Sequence, residues 1–362
     1  MTTVDLETII DGDGHVFEDP QAIWEHMPEN FKAQGKFQLG RLFPPLDHLH
    51  HSQINEQPPG SFEQTGAEGW KAFMRDSGID STILYPTSAL SYGKIASIEF
   101  AIAVTRAYND WLYDAYLQND PRFKGMALIP MQDPQAAVTE MRRAVEDLGM
   151  VGVMLPSTGL KAHLGSREYW PIYAEAERLG CSIGIHGGCH SGLGFDDMNV
   201  YPAVHGLGHP FGQMISFAAI LMNGIYDRYP GVRVGFLEGG VSWLLLCIER
   251  LQESYASHIP FDPDSQFMQL RDGENLAQYT IRQIKEGRIY VGCEGGEFAL
   301  PYAVSVCGPE AFMYSSDFPH EVNRESVRAE IDEVLNSQQM SATTKEAVLS
   351  KNASRFYSLT PG

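Results

Sequence analysis

The segment Asp11-Gly12-Asp13-Gly14-His15 ends the first apolar run of the chain, which Ile9 and Ile10 lead into. Residues two apart in an extended chain point the same way, so Asp11, Asp13 and His15 can face one side together. Two carboxylates and an imidazole converging on one point repel or stay unsatisfied unless a cation sits among them. The same residues also suit a capped turn, because Asp and Gly dominate turns. The rest of the chain decides between the two readings. His186-Gly187-Gly188-Cys189-His190, Glu238-Gly239-Gly240, Glu294-Gly295-Gly296-Glu297 and Ser315-Ser316-Asp317-Phe318-Pro319-His320-Glu321 each follow an apolar run as well. Each alone is weak, since a lone His after a strand is commonly structural and Glu-Gly-Gly commonly a turn. Together they offer imidazoles and carboxylates, the ligand set of zinc, manganese or iron. A bound divalent ion can activate water, polarise a carbonyl or orient a carboxylate substrate. The Gly-Gly pairs after His186 and Glu238 leave room for a substrate close to the backbone.

The elements that must position these residues alternate. Short runs rich in Val, Ile and Leu predict strands at 8–13, 80–85, 125–130, 151–155, 181–186, 232–238, 289–293 and 312–317. Helical patterns are predicted at 97–116, 133–148, 169–179, 213–226, 242–255 and 327–335, the second opening with Asp133-Pro134 as cap and first turn. Alternation of this kind over 362 residues predicts one domain, residues 1–362, folded as a distorted (β/α)8 TIM barrel. No GxGxxG follows the first run, as a nucleotide-binding sheet would want. In a barrel the reactive groups gather at the carboxyl ends of the strands, where the ionisable residues stand here. Two stretches interrupt the alternation. Residues 18–69, with Pro44-Pro45, His48, His50, His51 and Pro58-Pro59, read as an inserted lid or oligomer arm, and its histidines as a solvated loop. Residues 257–273 form a second irregular stretch.

Composition sets the outer limits. A formal net charge of -20 argues against nucleic acid and anionic membrane as partners. No apolar run is long enough to span a bilayer, and the polar start Met1–Glu7 shows no signal peptide. Five cysteines without a CxxC pair argue against a disulfide framework or a structural zinc site, and predict a reduced, cytoplasmic protein. The apolar Val204–Met222 stretch suggests a contact surface in a homo-oligomer, or in a hetero-oligomer with a related chain.

In these residues the chain resembles the amidohydrolase superfamily, in its amidohydrolase-2 branch of decarboxylases and hydrolases. The matching pieces are Ile10–His15, Gly184-Ile185-His186, Ser315–His320 and Asn352-Ala353-Ser354-Arg355-Phe356-Tyr357, so the resemblance spans essentially the whole chain. It implies metal ligands at Asp13, His15, His186 and Asp317, with Asp317 also accepting a proton and His320 supporting it. There are two departures. Asp13 stands where many members have His or Glu, and Glu238 stands where the decarboxylases carry a His before Gly-Gly. A carboxylate there can bind in or beside the metal shell, hold a second ion, or accept a proton.

The resulting expectation is a metal-dependent hydrolase or non-oxidative decarboxylase of a small carboxylated substrate. Zinc, manganese or iron would serve, as one ion or two, held by Asp11, Asp13, His15, His186, Glu238 and Asp317. The reactive groups would be Asp317, Glu238 and His320. Two alternatives stand beside it. The excess of carboxylates suits a dinuclear iron or manganese oxygenase on the same fold, and a barrel that has lost its chemistry would serve as a subunit of a complex. Among the remaining residues, Glu18 is expected at the start of the helix containing Trp24. His190, His205 and His209 are expected on loops, with one of them touching substrate. Glu294 and Glu297 are expected to support the ligands from behind, and Trp243 and Phe318 to pack in the core.

Overall fold

The computed structural model describes residues 6, 8–33, 42–49, 65–259 and 268–359. Eight strands form one parallel sheet, each strand paired with the next in sequence. They are β1 (Ile10–Val16), β2 (Ser81–Pro86), β3 (Phe123–Leu128), β4 (Gly152–Pro156), β5 (Ser182–His186), β6 (Arg233–Phe236), β7 (Ile289–Cys293) and β8 (Phe312–Tyr314). Just past β8 the sheet meets its own beginning. The His15 N–H donates to Phe318 O at 2.7 Å, and the Asp317 N–H donates to Asp13 O at 3.0 Å. Helices alternate with the strands on the outside, so this is a TIM-barrel fold. Every residue of β1, β4, β5, β7 and β8 is buried, as strands covered on both faces require.

β1 runs past the expected 8–13 to Val16. Gly12 and Gly14 look like turn residues in sequence, yet both lie in the strand, with an irregular register between Asp11 and Gly14. A Cβ on Gly14 would meet the Thr82 hydroxyl, the Trp70 ring and the Asp11 carboxylate, so only glycine lets these three crowd β1. The end of the chain plugs the barrel from below. Tyr357 Oη donates to Gly12 O at 2.6 Å and shares a 2.9 Å hydrogen bond with Tyr85 Oη. Asn352 donates to the carbonyls of Pro309 and Phe312, and the Phe356 ring fills the space that Gly235 leaves open. The Asn352–Tyr357 motif is therefore a structural closure.

Most helices fall where the pattern puts them, and Asp133 caps Pro134–Glu146 through the amides of Gln135 and Ala136. One differs in a way that matters below. The helix expected to begin at residue 213 begins at Tyr201 and runs to Met222, through Pro210. Pro202, Gly206, Gly208 and Pro210 give the segment the look of a loop. An interior Pro costs about 3 kcal/mol, but burial of Val204, Gly208, His209, Gly212 and Gln213 against the barrel holds the helix together. Helices Gly66–Ser77, Leu276–Lys285 and Leu300–Cys307 were not anticipated.

Of the expected lid or arm, residues 42–49 lie at the carboxyl mouth of the barrel, while His50, His51 and Pro58-Pro59 lie outside the described residues. Leu46 O accepts from the His190 N–H at 2.8 Å, His48 Nε2 bonds Met198 O at 2.7 Å, and Pro44 O accepts from the Ser91 hydroxyl. No helix among the described residues is long and apolar enough to cross a membrane.

The plug generates a stability prediction. Tyr357→Phe strands a buried carbonyl at Gly12 and a buried hydroxyl at Tyr85, and is expected to cost about 1–3 kcal/mol in urea unfolding. An unchanged unfolding midpoint would show that these hydrogen bonds contribute nothing.

Candidate active site

The carboxyl mouth gathers side chains from four strand ends. β1 contributes Asp13 and His15, β5 contributes His186, the turn after β6 contributes Glu238, and the turn after β8 contributes Asp317 and His320. His15 Nε2 lies 3.5 Å from Asp13 Oδ1 and 3.3 Å from Asp317 Oδ1. His186 Nε2 lies 3.5 Å from Asp13 Oδ2 and 3.2 Å from Glu238 Oε2. His320 Nδ1 lies 2.7 Å from Asp317 Oδ1, and its Nε2 lies 3.0 Å from the Thr87 hydroxyl.

The backbone aims two of these carboxylates. Glu238 and Asp317 have φ of 53° and 55°, in the left-handed region that side chains other than glycine seldom adopt. Two strained acidic residues in the same mouth, Glu238 against His186 and His209 and Asp317 against His15 and His320, are what a functional site looks like. His15 is oriented from the other side, where its Nδ1 meets Pro86 O at 2.8 Å, leaving Nε2 to point inward.

Burial governs the electrostatics. It drives the His15 imidazole well below its usual pKa, and the neighbouring His320 and His186 add to the effect, so the ring is a neutral donor. Burial pushes the Asp13 carboxyl up, with His186 pulling back and Asp317 adding repulsion. The Glu238 carboxyl is driven well above its usual range, by burial first and then by Asp317 and Asp13. On His320 burial opposes the charge, yet the adjacent Asp317 outweighs it and the net shift is upward.

The donor set fits a metal ion. Asp13 Oδ1, His15 Nε2 and His186 Nε2 are all buried without a hydrogen-bond partner, and the three residues converge. Donors bound to one ion at about 2.1 Å are themselves about 3.0–3.4 Å apart, close to the spacings found here. Repelling carboxylates and unpaired imidazole nitrogens are costly in an apolar interior and are relieved together by one cation. Asp317 and His320 make a second grouping with His15 on the same edge. Above this floor is a cavity of 170 Å³, lined by residues including Phe17, Leu46, Thr87, His205, His209, Glu238 and His320.

Several expectations need correction. Asp11 faces away from the donor cluster. Its Oδ1 accepts from the Ser316 and Asp13 amides, at 2.8 and 3.3 Å. Its Oδ2 accepts from the Thr82 and Ser316 hydroxyls, at 2.7 and 2.9 Å. Saturated by four donors, it ties β1 to β2 and to the turn after β8 instead of holding metal. The irregular register between Asp11 and Gly14 defeats the simple alternation that put Asp11 and Asp13 on one side. The space beside the first Gly-Gly pair is not open to substrate, because the His209 ring occupies it at Gly187; Gln213 and Trp243 crowd Gly239. His205 and His209 lie on a helix, not on loops. His190 does follow β5 in a loop, with Nδ1 3.3 Å from Asp47 Oδ2.

The other residues serve the scaffold. Glu18 accepts from the Ser88 and Ala89 amides at 2.9 and 2.8 Å, joining the ends of β1 and β2, while Asp19 caps the helix Pro20–Glu25 that carries Trp24. Glu297 accepts from the Val241 and Glu294 amides and so braces the turn that carries Glu238. Phe318 stacks on Phe73 at 3.6 Å, and Trp243 packs edge-on against Phe217 and Phe236.

These positions separate ligands from scaffold experimentally. Asp11→Asn is expected to lower stability while keeping the wild-type metal content. The Asp13→Ala and His186→Ala variants are expected to lose tightly bound metal in elemental analysis. Loss of metal from Asp11→Asn alone would reverse the assignment.

Comparison with known proteins agrees with this architecture. The chain is 25% identical over 277 residues to the 2-amino-3-carboxymuconate-6-semialdehyde decarboxylase of Dictyostelium discoideum, covering 76% of this chain and 72% of that protein. It is 28% identical to the gamma-resorcylate decarboxylase of Rhodococcus jostii, covering 68% of this chain and 75% of that one. The 5-carboxyvanillate decarboxylase of Novosphingobium aromaticivorans, solved with manganese and a nitrobenzoic acid, superposes with a TM-score of 0.73 at 21% identity, covering 99% of this chain and 100% of that one. The amidohydrolase family profile matches residues 10–359, so the chain belongs to the amidohydrolase family and is an enzyme of it.

Proposed function

We propose that this enzyme is a metal-dependent non-oxidative decarboxylase of a small carboxylated substrate. The observation that carries the reading is the convergence of unpartnered Asp13 Oδ1, His15 Nε2 and His186 Nε2 beneath a half-open cavity. Asp13, His15, His186 and Asp317 would hold a divalent ion, manganese by the precedent of the relative solved with it, and that ion would orient and polarise the substrate carboxylate. The described residues lining the cavity include no Lys or Arg, so the negative charge of a substrate is met by the ion and by histidines.

The protein's own groups manage the proton. Loss of carbon dioxide leaves a carbon that must be protonated. Asp317 and His320, 2.7 Å apart, form the pair that supplies that proton. His320 is held toward its charged form by Asp317, and its Nε2 contact with Thr87 fixes the ring. Residues 42–49 roof the cavity through Leu46 and limit entry of water. Hydrolysis would use the same residues differently: water would add to an acyl carbon, Asp317 would take its proton, and the pair would return a proton to the leaving group as its bond to that carbon breaks.

Two further readings belong with this one. The enzyme self-associates through the helix Tyr201–Met222, where Leu207, Phe211 and Ile215 stand four residues apart on one face and are each at least 40% exposed. All five cysteines are buried and free, which suits a reducing, cytoplasmic setting.

Carbon dioxide release is to be measured on manganese-loaded enzyme, without oxygen, over a panel of carboxylated aromatic and unsaturated acids. Asp317→Asn is expected to lower turnover about 10²–10⁴-fold. A requirement for oxygen, with oxygen consumed, would replace this reading by the oxygenase. For self-association, a Leu207→Glu and Ile215→Glu double variant is expected to shift the mass seen by light scattering to that of one chain. A wild-type protein that is already monomeric would dismiss the interface.

A further inference from the structure

A second set of donors adjoins the first. The helix Tyr201–Met222 carries His205 and His209 four residues apart, so both imidazoles stand on one face. His209 is 5% exposed, and its Nδ1 lies 3.5 Å from Glu238 Oε2. Neither atom has a hydrogen-bond partner. His205 is half-buried and lines the same cavity. One donor atom from each of His205, His209 and Glu238 falls within 4.8 Å of the others.

The fold makes room for this arrangement. A Cβ on Gly187 would collide with His209 Nδ1, so the residue after His186 must be glycine for His209 to reach inward. Gly208 likewise yields to the His190 ring, which packs edge-on against His209 at 4.7 Å. A helix interrupted by glycines and a proline is kept, and its histidines are delivered to the mouth. Glu238 faces both groups. The same Oε2 that approaches His209 lies 3.2 Å from His186 Nε2. The mouth thus holds three carboxyl groups, Asp13, Glu238 and Asp317, and Glu238 is left over from the set Asp13, His15, His186 and Asp317 assigned to one ion.

We propose that His205, His209 and Glu238 bind a second divalent cation beside the first, with Glu238 shared between the two sites. Two imidazoles and a carboxylate suit manganese, iron or zinc. The inference goes beyond the single-ion reading given under Proposed function and does not depend on the reaction.

The test is the binding of manganese alone to chelator-stripped, full-length protein, with metal content counted after desalting and the ions examined by electron paramagnetic resonance. Wild type is expected to saturate at two ions per chain, with the magnetic coupling of neighbouring ions. His209→Ala and His205→Ala are each expected to saturate at one uncoupled ion, the second site weakened by at least about 10-fold. Asp13→Ala and His186→Ala remove the first site and so report on the single-ion reading separately. If His209→Ala does not fold, as judged by circular dichroism, the half-exposed His205 decides. Wild type saturating at one ion, or both histidine variants keeping two coupled ions, overturns the proposal.

Discussion

The organising constraint is the cost of burying ionisable groups with no partner. Asp13, His15 and His186 sit at or below 1% exposure at the mouth of a barrel whose strands are apolar on every side. Left alone, such groups would neutralise or force water in. The surrounding structure instead fixes them. The Pro86 carbonyl orients His15, Thr87 orients His320, and Glu297 braces the turn carrying Glu238. Left-handed backbone at Glu238 and Asp317 turns their carboxylates toward the same point. An arrangement this costly, built by this many supporting contacts, is one that a cation would relieve.

Much of the fold was legible in the sequence, since parallel strands buried on both faces read as short Val- and Ile-rich runs. All eight predicted runs correspond to strands, and the strand ends are where the ionisable residues collect. Asp13, His15, His186, Glu238 and Asp317 could be picked out for the same reason. Asp11 could not be separated from Asp13, because an irregularity in register is invisible to an alternation rule and decides which carboxylate faces inward. The helix Tyr201–Met222 was hidden by its own Pro and Gly residues, which local propensity scores as a loop while tertiary burial overrides them. With it went the placement of His205 and His209. The one available signal was their spacing of four, which is ligand spacing only if the segment is helical.

The division of labour between the two ends of the barrel follows from the same physics. The lower end is closed by Phe356, by the Tyr357 hydroxyl, which meets Gly12 O and Tyr85 Oη, and by the Asn352 amide nitrogen, which meets two carbonyls. At the upper end the inward atoms Asp13 Oδ1, His15 Nε2, His186 Nε2 and Glu238 Oε2 are left unmatched. Stability is concentrated where hydrogen bonds are complete, and reactivity where they are not.

The seam where the barrel closes has a kinetic meaning. The bonds that join the turn after β8 to β1 are made by the backbones of His15, Asp13 and Asp317 themselves. These residues come from opposite ends of the polypeptide. His15 and Asp13 are therefore made early, and the seam that sets Asp317 beside them closes only when almost the whole chain has been made. Contacts of such long sequence separation form late in folding. An ion held among Asp13, His15 and Asp317 would bridge that seam, so that opening the ring of strands would also open the site.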